Sequence, residues 1–113
     1  MCSQAVLNEI TKRVVLAAQT SLGDRLDKVI LYGSCARGDN NDESDIDIMV
    51  LADIPCEDRG HERNKIRALL GSIDLDFDVV LALKVTDRET FNKFLSVEPF
   101  YMNVLKDGVV LSA

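Results

Sequence analysis

Two aspartates, Asp45 and Asp47, stand two positions apart in the run Ser44-Asp45-Ile46-Asp47. On a strand, positions i and i+2 share a face, with Cα atoms roughly 6.5 Å apart. Two bare carboxylates so placed repel, and one of them is driven to a higher pKa. A divalent cation removes the repulsion, and all-oxygen ligation suits Mg²⁺. Two such ions about 3.5–4 Å apart can clamp the attacking and leaving oxygens of a phosphoryl displacement. That chemistry needs a third carboxylate. Asp74, Asp76 and Asp78 follow at alternate positions and would share one face of a later strand. Asp78 stands directly before the apolar run 79–83 and is the first choice, with Asp76 second. For Asp74 and Asp76 the plainer expectation is a solvated strand entry.

Six residues upstream of Ser44 ends a loop of small residues, Gly33-Ser34-Cys35-Ala36-Arg37-Gly38. Gly33 follows an apolar run and permits a sharp turn with no Cβ in the way. If Ser34 opens a short helix, its free N–H groups and hydroxyl favour an anion such as a phosphate. Arg37 reaches a phosphate or pairs with a nearby acid. Alone, Gly33-Ser34 reads as an ordinary strand-to-helix turn; the aspartate pair at this distance sharpens it.

Alternating elements must position these residues. Val6, Leu7, Ile10, Val14, Ala17 and Ala18 predict a helix over 4–22, capped by Ser3 and stopped by Gly23. Residues 28–32 read as a buried strand, 34–43 as a polar loop opening with a helical turn, and 44–51 as a strand ending before Pro55. A charged amphipathic helix is expected over 57–71, with Ile66, Leu69 and Leu70 as its stripe. Residues 75–85 read as a third strand. Thr86-Asp87-Arg88-Glu89 has capping-box spacing and starts a helix whose inner face is Phe91, Phe94 and Leu95. One or two helical turns over 99–105, a turn at Asp107-Gly108 and a strand over 109–111 complete the chain. The expected fold is α/β or α+β, with a small mixed sheet of three to four strands flanked by helices.

Gly-Ser, Ala-Arg-Gly and Ser-Asp-Ile-Asp at this spacing, with Phe77-Asp78-Val79-Val80 and the tail from Glu98 to Leu111, resemble the minimal nucleotidyltransferases of the DNA polymerase beta-like superfamily. The resemblance spans nearly the whole chain. It implies a nucleotidyltransferase fold, two Mg²⁺ ions and ATP as substrate. Gly33, Ser34 and Arg37 would bind the nucleotide, and Asp45, Asp47 and Asp78 would be catalytic and metal-binding. Many such proteins are antitoxins paired with HEPN-domain toxins, and some transfer AMP to a tyrosine of that toxin. A hetero-oligomer with such a partner follows, acting in the cytoplasm. The rival expectation is a module of the same fold that masks its partner without chemistry.

Composition narrows the field. The 113 residues fit a single domain over 1–113. Acidic residues exceed basic ones by 19 to 13, and the net charge of −6 disfavours stand-alone nucleic-acid binding. Cys2, Cys35 and Cys56 form no CxxC pair and read as free thiols of a reducing compartment, with Cys35 as inert filler. The lone His61, set among charges, reads as a solvated surface residue. No apolar run is long enough for a signal core or a membrane span. Phe91, Phe94, Phe100 and Tyr101 are expected in the core or against a partner, and Tyr32 in either role.

Overall fold

The computed structural model describes residues 3–38 and 45–112. The chain opens with α1, Gln4–Leu22, whose N-cap Ser3 accepts a hydrogen bond from the Val6 N–H at 3.2 Å. It stops at Gly23, where φ is +55°. A 3-10 turn leads into β1, Leu26–Tyr32, followed by the single-turn helix α2, Ser34–Arg37. Next come β2, Ile46–Ala52, and α3, Arg59–Leu70. A short helix α4, Ile73–Phe77, precedes β3, Leu81–Asp87. The chain finishes with α5, Arg88–Phe94, α6, Pro99–Asp107, and β4, Val109–Ser112.

The four strands form one mixed sheet in the order β3-β2-β1-β4. β1 runs antiparallel to both β2 and β4, while β2 and β3 are parallel. The parallel pair needs a crossover, and α3 and α4 supply it. Strand alternation splits the core in two. Val29, Leu31, Ile46, Ile48, Val50, Leu81, Leu83 and Val85 pack with α1 and α3 on one face. Ile30, Met49 and Leu51 face the other way, against Phe91 of α5 and Val104 of α6. This second cluster covers only the C-terminal half of β2, so Asp47, on the same face, is left half-buried at its margin. Among the described residues, no helix is long and apolar enough to cross a membrane.

β3 is an edge strand, and its rim is capped by side chains. Arg63 Nε donates to the Leu83 carbonyl at 3.0 Å, and Arg67 donates to the Leu81 carbonyl at 3.3 Å. Asp74 accepts from the Leu81 N–H at 3.1 Å and from Arg67 at 3.0 Å.

The expected third strand over 75–85 is corrected. A strand would have set Ile73, Leu75 and Phe77 on one face. The chain instead uses helical spacing: Ile73 and Phe77 pack on the core, and Leu75 is 85% exposed. β3 starts only at Leu81. The cap of α5 also moves by one residue. Asp87, not Thr86, accepts from the Thr90 N–H at 2.9 Å, because Thr86 is still in the strand and buried. Leu69 and Phe94, expected on inner faces, are 54% and 40% exposed. The sequence expectations for residues 39–43, for Ser44 and for Cys2 lie outside the described residues.

Candidate active site

The antiparallel register of β1 and β2 sets Tyr32, the last residue of β1, opposite Asp47. The chain must then leave the sheet at once, and Gly33 makes that turn at φ +74°, ψ −157°, a conformation open in practice only to glycine. A Cβ at Gly33 would also collide with the Asp47 carboxylate. Strand end, turn and carboxylate are therefore fitted to one another. The Gly33 carbonyl accepts from the N–H groups of Ala36 and Arg37, both at 3.2 Å, which coils 34–37 into α2. Gly38, in the left-handed region, closes that turn by donating to the Ser34 carbonyl at 3.0 Å.

Cys35 ties this loop to the aspartates. Its side chain is buried, and the thiol contacts the Asp45 carbonyl at 3.6 Å. Asp45 is exposed immediately before β2, and Asp47 is half-buried in it. Gly33, Ser34, Arg37, Asp45 and Asp47 are thus gathered at one end of the sheet. Burial, then the Asp45 charge, raises the Asp47 pKa above the ordinary carboxylate value, while the Arg37 guanidinium opposes them. Burial, then Asp47, pushes the Tyr32 phenol up to about 12, so it stays protonated as a donor. The Tyr32 ring is held edge-on against Phe100, with centroids 5.7 Å apart.

Asp78 is placed otherwise than the strand reading expected. It is exposed, three residues ahead of β3, and ends α4 in the left-handed conformation with φ +54°. Asp76 is exposed and accepts from the Ser72 hydroxyl at 3.1 Å. Asp74 is occupied by Arg67 and Leu81. Among the described residues, no three His, Cys, Asp or Glu side chains form a group that could hold a metal ion. What the fold does assemble is a carboxylate pair on a tight loop. Its donor set is oxygen, one member carries a pKa raised by burial and then by the other's charge, and the buried thiol is turned to a carbonyl. Such a pair fits a hard divalent cation such as Mg²⁺.

Sequence reasoning left the role of Tyr32 open and missed that of Cys35. Pairing the strand 28–32 with the strand over 44–51 would have set Tyr32 beside Asp47. For Cys35 there was no signal, since a small buried residue after Gly-Ser carries no pattern.

The family model described as polymerase beta, nucleotidyltransferase matches residues 16–111. MJ0604 of Methanocaldococcus jannaschii, named as a candidate protein adenylyltransferase, is 36% identical over 100 residues, covering 88% of this chain and 92% of the relative. The crystal structure of a candidate nucleotidyltransferase from Sulfolobus solfataricus shares the fold with a TM-score of 0.57 at 21% identity, covering 96% of this chain and 87% of that one. A toxin–antitoxin structure with AMP-PNP does so with a TM-score of 0.55 at 20% identity, covering 91% of this chain and 73% of that one.

Proposed function

The chain belongs to the polymerase beta nucleotidyltransferase family, and from that premise we propose that it is a Mg²⁺-dependent protein adenylyltransferase that modifies a partner toxin. The observation that carries this reading is the Asp45–Asp47 pair, held against the Gly33 turn with the Asp47 pKa raised by burial and then by its neighbour. The name of the relative supports a protein acceptor, and the toxin–antitoxin neighbour supports a toxin as that protein. We take the toxin to be of HEPN type and the acceptor to be a tyrosine hydroxyl.

Gly33 lets the backbone approach the β and γ phosphates closely, and the Ser34 hydroxyl donates to them. Arg37 balances negative charge at the mouth of the loop. Asp45 and Asp47 would hold Mg²⁺, which when bound would neutralise the triphosphate and stabilise the charge that develops in the displacement. The acceptor oxygen bonds to the α phosphorus and the α–β anhydride bond breaks. Pyrophosphate leaves with the electron pair, and the acceptor proton passes to water. Tyr32, protonated and wedged by Phe100, gives Asp47 a neutral polar neighbour that adds no charge. Asp78 enters as third carboxylate on the sequence pattern alone.

The test is co-expression with the partner followed by intact mass measurement. Added AMP units on the partner, absent with a chelator in vitro, are expected. Neutralisation of the partner with no added mass would favour masking without chemistry. Asp78→Asn should keep ATP binding and lose transfer; undiminished transfer would leave a two-carboxylate centre.

A further inference from the structure

A groove of about 510 Å³ opens beside the carboxylates, lined by Tyr32, Arg59, Arg63, Ala82, Leu83 and Lys84. In the sheet register Tyr32 and Ala82 are the two neighbours of Asp47, one on each side. The groove therefore starts at the reacting end of the sheet and runs along the edge strand β3 toward α3. Among the described residues, no carboxylate lines it. Arg59 is already paired with Asp87. Arg63 donates only its Nε to the Leu83 carbonyl, and neither Arg63 nor Lys84 is ion-paired to a described residue. The Lys84 ammonium is kept in place by the Phe100 ring, 5.1 Å from its centroid. Phe100 in turn abuts Tyr32. In a chain of net charge −6, two cations on one groove with no ion pair to a described residue stand out.

We infer that this groove seats an acidic segment of the acceptor protein, with carboxylates flanking the acceptor hydroxyl on Arg63 and Lys84. The inference rests on the proposed adenylyl transfer and names the acceptor's chemistry. In the proposed reading Gly33 and Ser34 take the nucleotide's phosphates, which leaves the cations along β3 for something else. A groove of this volume takes a few side chains, and the acidic remainder of the chain repels an extended polyanion such as RNA. Positive potential next to the reacting atoms would both steer an acidic segment and fix its register.

The test uses the full chain with Mg²⁺ and a non-hydrolysable ATP analogue. Fluorescent peptides Glu-Glu-Tyr-Glu-Glu and Lys-Lys-Tyr-Lys-Lys are followed by anisotropy at low and at high salt. The acidic peptide should bind about ten-fold tighter, and salt should erase most of the difference. Lys84→Glu, a change at an exposed position, should cancel the preference while Mg²⁺-dependent ATP binding persists. Arg63→Gln should reduce the preference by about half that factor. Equal binding of the two peptides, or a preference untouched by Lys84→Glu, overturns the inference. So does a short single-stranded RNA that binds more tightly than the acidic peptide and loses affinity in Lys84→Glu. In a parallel arm with labelled ATP in place of the analogue, acidic-peptide binding that depends on Lys84 with no label transferred would sink the adenylyl-transfer reading and leave the groove standing. Transfer to both peptides at equal rates would do the reverse.

Discussion

Four aspartates around β2 and β3 divide into two kinds. Asp74 borders the edge strand β3 and Asp87 ends it, while Asp45 and Asp47 stand at the entry of β2. Burial works to raise the pKa of both Asp74 and Asp87, yet each is held below the ordinary carboxylate value. Arg67 and the Leu81 N–H outweigh burial at Asp74; Thr90 and Arg59 do so at Asp87. At Asp47 burial and a second carboxylate act together, and one exposed arginine does not reverse them. The same side chain is thus a finished structural bond in one region and an unbalanced charge in the other. Stability accounts for the first kind. The second is the kind of perturbed carboxylate that gathers at functional sites, and in the proposed function a cation would balance it.

The largest expected effect breaks the unbalanced side of this contrast. Asp45→Asn with Asp47→Asn should fold normally but lose nucleotidyl transfer by three orders of magnitude or more, about 4 kcal/mol of transition-state stabilisation. Transfer rates on a wild-type partner, with calorimetry of Mg²⁺-dependent ATP binding, measure it. Retained binding would show that the pair does not hold the metal.

Asp87→Ala breaks the balanced side. It removes the cap of α5 and leaves Arg59 without its buried partner, so unfolding free energy should fall by about 2–4 kcal/mol. Denaturant unfolding reads this directly. The pH profile carries the sign: a carboxyl lowered in the fold stabilises fully above its unfolded-state pKa, and that stability is lost as pH falls through the folded value. The variant should therefore lie closest to wild type in acid.

The smallest effect sharpens the contrast by having the opposite sign. The folded chain holds the Asp47 proton at a pH where the unfolded chain has released it. Asp47 therefore lowers stability as pH rises from the ordinary carboxylate range through its raised value. Asp47→Asn in metal-free buffer should melt roughly 2–4 °C higher at pH 7 and show no gain below about pH 4. Thermal melts at the two pH values in chelator would settle it, and a drop in melting temperature at pH 7 would contradict the assignment.

Much of this was legible in the residues. The periodicity of 4–22 and its caps gave α1 to the residue, because one apolar stripe and two end signals agree there. That Gly33, Ser34, Asp45 and Asp47 come together was legible because a glycine turn and a carboxylate pair are strong local patterns. The segment 73–80 was not. Its Ile73, Leu75, Phe77 and Asp74, Asp76, Asp78 alternate as a strand does, but Ile73 and Phe77 also sit one helical turn apart. Packing decided for the helix, and the place of Asp78 changed with it. Arg63 and Arg67 on the rim of β3 were equally hidden, since a long cationic side chain on an exposed helix says nothing of a strand carbonyl beside it.

Those two arginines determine how the sheet can grow. A bare edge strand is a template for another chain's backbone, but the Leu81 and Leu83 carbonyls of β3 already have donors. The opposite edge, β4, carries no such guanidinium cap among the described residues, and its Val109 and Val110 are about half exposed. The sheet has one sealed margin and one open one, so a neighbour that extends it strand by strand adds beside β4 and leaves the groove along β3 clear.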